Sequence, residues 1–351
     1  MVQACDRQAQ LLQKNHLSSA QPSQVDNFGS LNILFHLPCL PFRFAQLRAI
    51  TVTTVSSAVS EAIYKHPGLV ELYCSEVGRP RKGAGQEQHL TLLAPALDQE
   101  SNPQSCSKVE AVRIRNCFML CGQLSTLLSA ICEGKSAVTS LSLTKLGSGC
   151  INAHTDCPLS AGLLGQATIK LTKLCLDNLG WTCNLTTDKL EALLRGIREG
   201  TALRELILSK VHIAPANPKV LAEALTRVEK VTLSEANLSL EQAKAIFTSI
   251  KDGNKTINQL SIYQMGNNDC YNMVRRVSGQ LLAEGLSLLE RVSLENVNLN
   301  SLQVTAILDH VLHHGSRLKE LRLDRFDAER SHIFLPASLL DHLPFDFHFN
   351  L

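Results

Sequence analysis

A few short stretches carry residue types that do chemistry in other proteins. His310 and His314 stand four apart, a spacing that places two imidazoles on one helix face where they could share a metal, and His313 lies between them. No H-E-x-x-H pattern and no third ligand accompanies them. They read instead as polar residues at a helix C-terminus, where the backbone dipole favours them. Gly134-Lys135-Ser136 matches the end of a phosphate-binding loop, but the glycine such a loop needs five residues earlier is Ser129. Gly134 therefore reads as a helix stop. Gly147-Ser148-Gly149 lacks the spacing of a nucleophile elbow and reads as a turn. Cys117 would need a histidine to activate it as a nucleophile, and its place in the pattern below gives it a structural role. No catalytic residue, cofactor or metal is expected, and the chain reads as a non-enzyme.

The elements around these residues follow from composition and period. The chain has 351 residues with 34 basic and 32 acidic side chains, a net charge of +2. That balance argues against nucleic-acid binding through bulk charge. Hydrophobic residues make up 44%, enough for a large core, while aromatics are 5% with the single Trp181. A leucine core with few rings suggests many small similar packing units. No run of 18 apolar residues occurs, so no membrane span is expected. The polar start MVQACDRQAQLLQKNH does not resemble a secretory signal. With no C-x-x-C pair among the 12 cysteines, they read as reduced thiols of a cytoplasmic protein.

A pattern L-x-x-L-x-L-x-x-(N/C)-x-L recurs at steps that cluster near 29 residues. Strong copies are Val109-Val112-Ile114-Cys117, Val138-Leu141-Leu143-Leu146, Leu171-Leu174-Leu176-Leu179 and Leu203-Leu206-Leu208-Val211. They continue as Val228-Val231-Leu233-Ala236, Ile257-Leu260-Ile262-Met265, Leu289-Val292-Leu294-Val297 and Leu318-Leu321-Leu323-Phe326. Earlier copies start at Leu47 and Leu69, and Phe345, Phe347 and Phe349 suggest a degenerate last one. The alternating L-x-L centre predicts a short strand.

Helical stripes follow, at Leu124-Leu127-Leu128-Ile131, Leu190-Leu193-Leu194-Ile197, Ala243-Ile246-Phe247-Ile250 and Val304-Ile307-Leu308-Val311. Ser239 with Gln242 predicts a capping box. Gly134, Gly200, Gly253, Gly285 and Gly315 are placed where left-handed C-cap glycines belong. One strand and one helix cannot bury their apolar sides alone, whereas stacked copies can.

From Leu47 onward the chain resembles leucine-rich repeat proteins, and its long strand-plus-helix unit resembles the ribonuclease-inhibitor subclass. That subclass also forms the C-terminal region of nucleotide-binding innate immune receptors and the Ran GTPase-activating proteins. The resemblance implies an α/β fold: a curved right-handed solenoid with parallel strands on the concave face and helices on the convex face, used as a binding surface. It implies ten or eleven repeats over 47–351, including a C-terminal cap, behind a flexible lead and N-terminal cap over 1–46. Ribonuclease inhibitor itself is acidic and richer in Cys and Trp, so that activity is not expected here.

Under this register the residues between the conserved leucines form three rows on the concave face. The first is Ala111, Ser140, Lys173, Glu205, Lys230, Gln259, Arg291, Glu320. The second is Tyr73, Arg113, Ser142, Cys175, Ile207, Thr232, Ser261, Ser293, Arg322, and the third is Arg115, Thr144, Asp177, Ser209, Ser234, Tyr263, Glu295, Asp324. Small polar residues fill the middle. The expected partner-binding residues are Tyr73, Arg113 and Arg115 early, and Tyr263, Arg291, Glu295, Arg322 and Asp324 late. The late group combines an aromatic anchor with both charge signs and is expected to contribute most. The function expected is a protein-interaction scaffold for a protein partner, with no nucleic acid, membrane or small-molecule substrate.

Two other functions find partial support in the residues. Leu34-Phe35-His36-Leu37-Pro38 offers part of an F-box, one residue short of the usual I-F-x-x-L-P, which would make the chain a ubiquitin-ligase substrate receptor. A small-GTPase-activating role would use an exposed arginine such as Arg113 or Arg115, without a local motif to support it. Gly78-Arg79-Pro80-Arg81-Lys82-Gly83 reads as a solvated loop in the longest step.

Overall fold

The computed structural model describes residues 30–32, 49–52, 71–75, 109–115, 118–119, 121–134, 136–145, 147–148, 160–179, 186–253, 256–263, 274–297, 299–314, 316–324 and 346–350. Its strands in chain order are β1 (Ser30–Asn32), β2 (Ala49–Val52), β3 (Glu71–Ser75), β4 (Ala111–Arg115), β5 (Phe118–Met119), β6 (Ser140–Thr144) and β7 (Gly147–Ser148). They continue with β8 (Lys173–Asp177), β9 (Glu205–Ser209), β10 (Lys230–Ser234), β11 (Gln259–Tyr263), β12 (Arg291–Glu295), β13 (Glu320–Asp324) and β14 (Asp346–Asn350). Twelve of them form one open sheet whose spatial order is the order along the chain, while β5 and β7 pair separately. Neighbours run parallel throughout. The segment Gly147-Ser148, expected as a turn, is thus a short strand against Phe118-Met119. β14 pairs with β13 with Phe347 opposite Leu321, as the alternating phenylalanines predict.

Parallel neighbours need a crossover, and among the described residues helices supply it between β4 and β13. They are α1 (Cys121–Cys132), α2 (Ala161–Lys170), α3 (Thr187–Glu199), α4 (Pro218–Leu225), α5 (Leu240–Lys251), α6 (Gly279–Leu286) and α7 (Ser301–His313). The four stripes named above lie on α1, α3, α5 and α7. The shorter α2, α4 and α6 alternate with them, at 10, 8 and 8 residues. Two turns hold too few apolar positions to show a period, so tertiary packing carries these helices.

The core is a continuous layer between sheet and helices. Leu141 and Leu143, Leu174 and Leu176, Leu206 and Leu208, and their equivalents onward are almost fully buried, and so are Leu128, Leu193, Leu194, Phe247, Ile307 and Leu308 from the helices. Each such side chain contributes about 1.5–3 kcal/mol of burial.

The residue after a strand turns the chain sharply away from the sheet. Lys145, Asn178, Lys210, Glu235 and Asn296 take φ values of 50, 47, 52, 50 and 56°. The amides of the first four extend the ladder, donating to the carbonyls of Asp177, Ser209, Ser234 and Tyr263 at 2.8–2.9 Å. Lysine and glutamate have no intrinsic preference for this conformation, so the ladder imposes it.

The glycines divide in two. Gly134 and Gly253 are left-handed, at φ 73° and 89°, and end α1 and α5 as expected. Gly200 and Gly285 are not left-handed C-caps. Gly200 caps α3 in extended conformation, and Gly285 lies inside α6. Close approach explains both: a β-carbon at Gly200 would meet the Ile169 α-carbon at 3.0 Å, and one at Gly285 would meet the Phe247 carbonyl oxygen at 3.2 Å. Gly315, Cys117, the basic loop at 78–83, and 33–46 with its F-box-like string lie outside the described residues. Of the expected N-terminal lead and cap, only β1 is described.

Neighbouring repeats are also locked by polar side chains. Ser239 and Gln242 form the expected capping box on α5, and Asn300 with Gln303 forms a second on α7. Gln242 is fully buried, and its amide donates back to the carbonyls of Ile213 and Ala216 at 2.8 Å. Gln303 does the same to Arg275 and Val277, at 3.0 and 2.6 Å. Each glutamine thus caps its own helix and holds the preceding repeat's loop.

Candidate functional site

The strand register sets every row of the exposed sheet face. Tyr73 stands opposite Arg113, Arg113 opposite Ser142, and so on through Ser293 opposite Arg322, so the three expected rows are in line. On β4, β6 and β8 to β12 the residues facing away from the core are half-buried or exposed, alternating with buried aliphatic residues.

At the late end, the positions expected to bind a partner are tied to one another. Arg322 Nε lies 2.6 Å from Glu320 Oε1, and Arg291 Nε lies 3.8 Å from Glu320 Oε2. One carboxylate thus holds two guanidinium groups, which the sequence placed in separate rows. Glu295 accepts a hydrogen bond from the Ser293 hydroxyl at 2.7 Å. Tyr263 is half-buried between the register positions Ser234 and Glu295. Asp324 stands next to Glu295 in the same row.

In the middle of the face, Lys173 Nζ meets Glu205 Oε1 at 2.8 Å, a sign alternation visible in the first row. The pair is partly exposed and adds about 0–1 kcal/mol. Cys175 lies between Ser142 and Ile207 in register. Burial pushes its thiol pKa above the ordinary value, against the opposing hydrogen bond with Ser142, so it is not an activated thiolate.

At the early end, the Arg113 guanidinium carbon sits 4.9 Å from the centroid of the Tyr73 ring. The Tyr73 hydroxyl donates to Glu71. Burial and that hydrogen bond raise the tyrosine pKa, with Arg113 opposing. Arg115 is exposed two residues further on. Glu71 and Glu320 are the acids missed as site residues. Glu320 was legible in the first row, but its double pairing needed side-chain geometry.

The histidines sit on the helix side. α7 ends at His313 with His314 as its cap, and the His310 and His314 rings meet edge to face at 4.8 Å. His313 Nδ1 lies 3.2 Å from Asp309 Oδ1. Among the described residues no group of three metal-ligating side chains is gathered, and no helix is long and apolar enough to cross a membrane.

A solved structure shares this architecture. The leucine-rich repeat-containing protein LegL7 from Legionella pneumophila is similar with a TM-score of 0.50 and 16% sequence identity, over 90% of this chain and 97% of that one. The chain has the leucine-rich repeat fold. At that identity the likeness to LegL7 shows the fold alone. No protein-family model matches the sequence, and no curated protein matches it. In a leucine-rich repeat solenoid the parallel sheet is the concave side, so the three rows are concave-face rows and the helices form the convex side.

Proposed function

We propose that this leucine-rich repeat chain is a non-enzymatic scaffold that binds a protein partner on its concave face. One observation carries the reading: from β4 to β12 the main sheet keeps its outward residues at least partly accessible while every inward residue is committed to the core. Tyr263, Arg291, Glu295, Arg322 and Asp324 form the late contact group, and Tyr73, Arg113 and Arg115 the early one. The arginines and tyrosines among them are the residue types that dominate interface energetics. The Arg291–Glu320–Arg322 cluster is already organised within the chain, which lowers the ordering cost of engaging it.

The test is comparative capture from the native cell with three full-length baits. They are the wild type, Tyr263→Ala/Arg322→Ala, and the convex control Arg195→Ala. A protein retained by wild type and control but reduced about tenfold or more by the double variant supports the concave site. Partners captured equally by all three would move the interface to the loops or the helices.

A further inference from the structure

We draw no further inference here: the strongest candidate, the middle row of uncharged side chains on the concave face from Ser142 to Ser261, is flanked by Lys173 and Lys230 against Asp177 and Glu205, so no net charge selects an occupant and nothing in the structure shows what covers it.

Discussion

Gly196 of α3 packs directly on the backbone of Gly165 in α2: a β-carbon at Gly196 would stand 2.1 Å from the Gly165 carbonyl oxygen. Gly165 is itself hemmed in by α3, since a β-carbon there would stand 2.6 Å from the Ala192 carbonyl oxygen. Two helices of successive repeats thus meet along backbone with no side chain between them, and their separation sets the local stacking distance of the solenoid.

Gly196→Ala therefore sets two effects in opposition. Helix propensity favours alanine by about 1 kcal/mol, while the overlap forces the helices apart at a cost of about 1–3 kcal/mol. The contact is with backbone, which cannot rotate away, so net destabilisation is expected in urea titration. Gly162→Ala, where the nearest atom is Ser160 Oγ at 3.6 Å, is the control and should be neutral or stabilising. Equal or higher stability of Gly196→Ala would show that the seam is looser than described.

Gln242→Ala should leave the carbonyls of Ile213 and Ala216 without their side-chain donor and open a void in a fully buried position. A loss of about 1–3 kcal/mol is expected from the unpaired groups. Gln242→Glu has nearly the same shape but replaces the donor with a carboxylate facing carbonyl oxygens, so it should be at least as damaging. A Gln242→Glu chain as stable as wild type would sink the bracket role. Gln303→Ala should behave alike, through Arg275 and Val277.

Leu206 on β9 and Leu294 on β12 are 0% and 1% exposed in one continuous core. Replacing either with alanine should cost on the order of 2–5 kcal/mol. Thermal melting is the check, and an unchanged melt for Leu294→Ala would mean the strand register is wrong.

On the convex side, Lys251 Nζ lies 2.7 Å from Glu284 Oε2. The hydrogen bonds from Lys251 and Gln280 hold Glu284 below the ordinary glutamate value of 4.5, and the bond to Glu284 raises Lys251 above 10.5. A lowered carboxylate contributes stability above its unfolded pKa and loses it as pH falls through the folded one, whereas a raised amine loses its contribution as pH climbs through its folded value. The stability gap between wild type and Glu284→Gln should therefore hold through neutral pH. It should close below 4.5 and again above 10.5. A gap that stayed constant into acid would rule out the ion pair as its source.

The repeat was legible because it is written locally. Leucines two apart define a strand face, and helical stripes of three or more turns define a period, so the sheet order and the three concave rows followed from the spacing alone. The capping box at Ser239 and Gln242 was legible for the same reason, being four consecutive residues. Tertiary structure decided what depends on residues far apart in sequence. Gly200 and Gly285 looked like helix stops, yet their role is to let Ile169 and Phe247 approach, contacts that lie about one repeat away. Glu320 looked like one acid in a row and proved to hold two arginines, because side-chain reach between strands is set by packing. Arg113 looked like any exposed arginine until the sheet laid it on Tyr73, a residue 40 positions earlier. Periodicity fixes which side of the sheet a residue faces, but the neighbour it meets there depends on how the repeats stack.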